Sequence, residues 1–185
     1  MSESNTSHIF RISPLIRIAL WSFYGTLTLP LPLIAFYQGR DYSAWITIVG
    51  LCLGAIALYA ALSEQVRVDE KAIAIVYPKW VPQWFRKPWS LNWDEIRDVK
   101  ARSTGQGGLV YYLIRNEKEA YLLPMRVAGF AKMTEYIQTQ TGLDLAMSKP
   151  LAQIWMYSLL LGTSVLLGLA DGWVVSMTLK GVNLS

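Results

Sequence analysis

The chain is short of the residues from which most active centres are built. Its 185 residues include one cysteine, Cys52, and one histidine, His8. A single thiol forms no internal disulfide, and Cys52 lies inside an apolar run rather than in a ligand cluster. With no second histidine, a His/Cys zinc site is excluded. A Ser-His-acid or Cys-His nucleophile system has only His8 to draw on, in a polar N-terminal stretch. Charge is also scarce, at 16% of residues. Between Ser63 and Lys149, 13 Lys/Arg face 10 Asp/Glu, a mild excess rather than the dense basic stripe of a nucleic-acid binder. Gly105-Gln106-Gly107-Gly108 precedes strand-like sequence, so it reads as a hairpin turn and not as a phosphate cradle. Asp94 and Glu95 are adjacent carboxylates, but their place in WDEI at a strand turn makes them solvated rather than a general acid and base. No cofactor motif or catalytic constellation remains, and the chain reads as non-enzymatic. Asn5 and Asn183 match the glycan acceptor pattern only in short terminal stretches and are read as chance matches.

Apolar sequence is what the chain has in abundance, with 53% hydrophobic residues. Crossing a bilayer takes a helix of roughly 20 mostly apolar residues. Three runs meet that need: residues 18–37, residues 44–62, and residues 154 to 175. The stretch before the first run lacks the short apolar core and small-residue cleavage site of a signal peptide, so this span is expected to be retained. The expected organisation is a tail over 1–15, a membrane hairpin over 16–62, a polar domain over 63–149, and a third span with a short tail over 150–185. Arg11 and Arg17 precede the first span and the basic domain follows the second, whereas the first loop holds Arg40 offset by Asp41. The positive-inside rule then puts the N-terminus and the domain on the cytosolic or stromal side of a multi-pass membrane protein.

Within the spans, Pro30 and Pro32 interrupt the first helix by removing backbone donors. Gly50 and Gly54 in the second span, and Gly168 and Gly172 in the third, let backbones approach closely. That spacing is expected to serve packing within the bundle, with a specific partner interface as the alternative; a homo-oligomer is a further option. Asp171 reads as the exit of the third span, beside an anchoring Trp173, rather than as part of an ion path.

The polar domain reads as short strands and one helix. Residues 65–68 and 72–77 flank an Asp69-Glu70-Lys71 turn, and 89–93, 96–102, 109–115 and 119–123 follow as further strands. Over Arg126–Thr141 the period becomes helical, with Val127, Phe130, Thr134 and Ile137 on one face and Gly142 as the stop. The most distinctive stretch is Tyr77–Trp89, YPKWVPQWFRKPW. Pro78, Pro82 and Pro88 forbid a helix or a central strand there. Trp80, Trp84 and Phe85 stand among Lys79, Arg86 and Lys87, a mixture suited to lipid headgroups or to a protein interface. Trp89 and Trp93 are assigned to the core.

The order QVRVDEKAIAIVYP, WSLNWDEIRDVKA, LVYYLIRN and AYLLP before a single helix resembles the bacterial pleckstrin-homology-like domain, often fused to a pair of membrane helices. The resemblance covers residues 63–145 and implies an antiparallel β domain capped by one C-terminal helix, hence a fold with three transmembrane helices and a small α+β domain. In lipid-binding members of that superfamily the first hairpin loop is basic. The turn matched to it here, Asp69-Glu70-Lys71, is net acidic, so phosphoinositide binding is not implied. AIAIVYPKWVP, DEIRDVKARSTG and LVYYLIRN also resemble the thylakoid photosystem I assembly factor with two membrane helices and a stromal domain, although this chain has a third span. That family implies a scaffold and not an enzyme. The expected function is therefore a membrane-anchored scaffold or assembly factor whose domain contacts another membrane protein complex, in a photosynthetic membrane if the second resemblance holds. An anionic-lipid-binding surface module and a small transporter or channel subunit are the alternatives. No nucleic acid, metal or cofactor is expected.

Overall fold

The computed structural model describes residues 7–103, 109–145 and 154–182. The glycine-rich turn, both Asn-x-Ser/Thr sites and the Lys149-Pro150 linker lie outside these residues. The chain divides into two units, one of Met1–Ser13 with Ala60–Gln153 and one of Pro14–Tyr59 with Ile154–Ser185.

The first unit is α+β. Strands β1 (His8–Arg11), β2 (Gln65–Val68), β3 (Ala72–Val76) and β4 (Trp89–Asn92) form an antiparallel sheet in that order, and a 3-10 turn covers Trp93–Glu95. Strands β5 (Asp98–Ser103), β6 (Leu109–Asn116) and β7 (Glu119–Leu122) form a second antiparallel sheet. Alternation sets the inner faces: Val66, Val68, Ile73, Leu91 and Leu113 are fully buried, and their neighbours along each strand are not. Helix α4 (Phe130–Thr141) adds Phe130, Met133 and Ile137 to the same core, and Thr134 is buried as well. Each such apolar side chain contributes about 1.5–3 kcal/mol by leaving water. Trp93 belongs to this core and Trp89 packs against it.

The β2–β3 turn is built by Asp69, whose Oδ1 accepts the Lys71 and Ala72 backbone N–H groups at 2.9 Å each. The Trp93 indole N–H closes it by donating to the Asp69 carbonyl at 2.9 Å. Helix α4 begins at Phe130, later than the apolar period implies, because Gly129 at φ 75° turns the chain just before it. Val127 is buried through a bridge to Ile12 instead of through the helix. At the other end Gly142, at φ 69°, stops the helix and donates to Gln138 O at 2.8 Å.

The N-terminal stretch departs most from the sequence reading. His8–Arg11 is a strand of the sheet and not a tail, pairing Ile9 with Arg67 and Phe10 with Val66. Its other side is also held: Ala128 N–H donates to Arg11 O at 2.8 Å, and Ser13 N–H to Arg126 O at 3.0 Å. Phe10 packs against the core, and the His8 ring meets Tyr136 at 5.5 Å. The QVRV–AIAIV hairpin is thus the second and third strands. The link between the first and second strands is the whole helical segment from Pro14 to Ala61.

The second unit is helical. Helices α1 (Pro14–Thr28) and α2 (Pro30–Tyr37) make one apolar run, α3 spans Asp41–Ala61, and α5 spans Ile154–Val182. All three runs are long and apolar enough to cross a membrane. Pro30 and Pro32 lack the N–H groups that would bond to Thr26 O and Thr28 O, so the hydrogen-bond ladder breaks after Leu29, which keeps helical dihedrals and donates to Gly25 O at 2.9 Å. Helix α5 continues to Val182, so Asp171 lies within it and not at its end. Helices α1 and α5 pack together, and Ile16, Ala19, Tyr157 and Ser164 are buried in the helical unit.

Candidate functional site

The aromatic and basic loop joins β3 to β4. Two turns shape it: Val81 N–H donates to Pro78 O at 3.0 Å, and Phe85 N–H to Pro82 O at 3.0 Å. Val81 is buried and pins the first turn inward. Everything from Pro82 to Pro88 then faces outward. Lys79, Trp80, Trp84, Phe85, Arg86 and Lys87 are all exposed, and Trp84 keeps 86% of its surface accessible. The Trp84 and Phe85 rings meet edge to face at 6.0 Å. The exposed aromatic pair stands directly before Arg86 and Lys87, which are also exposed.

The base of the loop is held by a pair that sequence reasoning missed. The Tyr77 hydroxyl donates to Glu64 Oε2 at 2.6 Å, across a separation of 13 residues. Burial, followed by the Glu64 hydrogen bond and charge, holds the Tyr77 phenol well above its ordinary value, and the Arg86 charge opposes them. The phenol therefore stays a donor throughout the physiological range.

The adjacent carboxylates have separate fates. Asp94 is exposed, whereas Glu95 is half-buried, accepts the Asn92 N–H at 3.0 Å and pairs with Arg115. Arg115 also reaches Glu119 at 3.3 Å, so this cluster clamps the second sheet to the 3-10 turn.

Of the four small residues assigned to helix packing, two make close contacts. A Cβ at Gly54 would stand 2.7 Å from the Tyr24 hydroxyl oxygen, which donates to Leu51 O at 2.6 Å. Glycine at 54 is what lets Tyr24 reach the α3 backbone. At Gly168 a Cβ would stand 3.3 Å from Thr26 Cγ2, where α1 meets α5. Gly50 and Gly172 have nothing within 4 Å of that position. Cys52 is exposed on α3.

An uncharacterized cyanobacterial protein, slr0269 of Synechocystis sp. (strain ATCC 27184 / PCC 6803 / Kazusa), is 49% identical over 155 residues, 83% of this chain and 78% of the relative. The chain belongs to the same family. No family model matches it, and no solved structure does. The family assignment therefore brings no activity with it.

Proposed function

We propose that the chain is a non-enzymatic, membrane-tethered scaffold: its helices cross the bilayer and its pleckstrin-homology-like module holds another membrane protein complex beside them. The carrying observation is the insertion of α1–α3 between two hydrogen-bonded neighbours, β1 and β2. The two strands that flank the helical segment in the chain therefore pair within one sheet. Tethering of this kind raises the local concentration of a weakly binding surface and turns its contact into an effectively intramolecular one.

Antiparallel strands followed by one helix is the order that the pleckstrin-homology-like resemblance implies. In that superfamily the phosphate-holding loop joins the first two strands. Counting β1, that connection is the membrane hairpin here, so the acidic Asp69–Lys71 turn is no longer the matching loop. Phosphoinositide recognition still has no loop to carry it. An even number of crossings between β1 and β2 returns the chain to the same side, in keeping with the orientation drawn from Arg11 and Arg17. The cyanobacterial source of the relative accords with a photosynthetic membrane.

The test is a mild-detergent purification of the tagged full-length protein, with mass spectrometry of what stays bound. A defined membrane complex or its assembly intermediates is the expected result. Recovery of lipid and self alone would refute the scaffold.

A further inference from the structure

The register of the first sheet places the aromatic loop. Arg11 pairs with Gln65, Gln65 with Val76, and Ile75 with Trp89. One end of the sheet therefore gathers Ile12, Glu64, Tyr77 and Pro88, and the Asp69–Lys71 turn occupies the opposite end. Ile12 stands two residues before α1, and Glu64 stands three residues after α3 ends at Ala61. The loop thus springs from the end of the sheet at which the chain leaves for, and returns from, its apolar helices. The Tyr77–Glu64 hydrogen bond fixes its base there.

Covalent reach supplies the scale. The 21 residues of α3 rise about 31 Å, close to the roughly 30 Å of a hydrocarbon core, so a spanning α3 brings Ala61 to about the core boundary. Three further residues span at most about 10 Å, and the headgroup layer beyond the core is about 5–8 Å deep. Glu64 and the loop base it holds are therefore within covalent reach of that layer. The loop's composition matches this location: Trp84 and Phe85 are suited to the acyl–headgroup boundary, and Lys79, Arg86 and Lys87 to lipid phosphates. Three cations stand among the nine residues Lys79–Lys87 with no carboxylate.

We infer that the Lys79–Lys87 loop seats in the headgroup layer of the bilayer that the chain's own helices cross, with Trp84 and Phe85 inserted and the three cations on anionic lipid. This rests on the tethered-module reading and names the ligand of its exposed loop. Lipid contact there fixes the module against the surface and leaves its other faces to a protein partner.

The experiment uses full-length protein in vesicles of zwitterionic lipid, with and without phosphatidylglycerol. A fluorophore is placed through Gln83→Cys or Glu70→Cys in a Cys52→Ser background; both sites are exposed. The label at 83 is expected to be quenched by headgroup nitroxides and shielded from aqueous iodide, more so with phosphatidylglycerol. The label at 70 is expected to show the reverse. Lys79→Gln/Arg86→Gln/Lys87→Gln should abolish the gain from anionic lipid, and Trp84→Ala/Phe85→Ala should lose the shielding. Equal iodide access at 83 and 70 would overturn the proposal. So would shielding at 83 that appears only in native membranes, because the occupant would then be a protein or a second copy. Release of the protein by alkaline carbonate would overturn the tethered reading as well, whereas a failed partner purification alone leaves the quenching pattern intact.

Discussion

Leucine behaves in opposite ways in the two units. In the sheet module Leu91 and Leu113 have no accessible surface, whereas in the helical unit Leu53 and Leu166 expose 63% and 69%. In the module, apolar side chains alternate with polar ones because one face meets a core and the other meets water. In α3 they run all round the helix, with buried residues only near its ends, at Ala44 and Ala60. A helix that is apolar on every face is adapted to a lipid surround. The two units thus use hydrophobicity differently: one to exclude water from a core, the other in helices long and apolar enough to cross a membrane.

The sharpest way to break that comparison is to remove the same side chain from each unit. Leu113→Ala should destabilise the module by about 2–5 kcal/mol, as a buried leucine leaving a cavity does. Leu53→Ala should stay within about 0.5 kcal/mol, as at other surface positions. Denaturant melts in detergent, followed by near-UV circular dichroism, would show the contrast. A comparable loss at position 53 would mean that α3 has a protein partner on that face.

Next in size is the contrast between two glycines of α3. Gly54→Ala pushes a methyl group against the Tyr24 hydroxyl and should cost about 1–3 kcal/mol of bundle stability. Gly50→Ala, with open space around it, should stay within about 0.5 kcal/mol. Adding Tyr24→Phe to Gly54→Ala should recover part of the loss, since the two changes share one contact. Unfolding in mixed micelles reads all four proteins.

The smallest effect belongs to the loop base. Tyr77→Phe leaves the half-buried Glu64 without its donor and should cost about 1 kcal/mol. The phenol's value is raised on folding, so its contribution is fully present below the ordinary tyrosine value of about 10 and lost as pH climbs through the higher folded value. Module stability should therefore decline at strongly alkaline pH in the parent protein, and less steeply in Tyr77→Phe. Parallel slopes would remove Tyr77 from the account.

The sequence disclosed the parts that depend on local pattern. Strands β2, β3 and β6 alternate over four to eight residues, and α4 repeats with helical period up to a glycine stop. The loop itself was legible because three prolines forbid a helix or a central strand there. What local pattern did not disclose depends on partners distant in the chain. His8–Arg11 is a four-residue segment beside an apolar helix, and its mate lies beyond three helices. Tyr77 reads as one more strand aromatic until Glu64 is found beside it. Gly50 and Gly54 carry the same spacing signal, and only the arrival of Tyr24 separates them.

The central claim is that the three apolar helices α1–α3 are inserted in the chain between β1 and β2, which pair directly in the module's sheet. The most direct test is Ile9→Cys/Arg67→Cys in a Cys52→Ser background, oxidised mildly in intact membranes. These exposed residues are paired across the strands, where Cα atoms stand about 4.5–5.5 Å apart, within disulfide range. The account predicts rapid intramolecular cross-linking, with none between Ile9→Cys and a cysteine at Glu70. Absence of the 9–67 bond, with both thiols still reactive to a soluble maleimide, would detach β1 from the sheet and contradict the account.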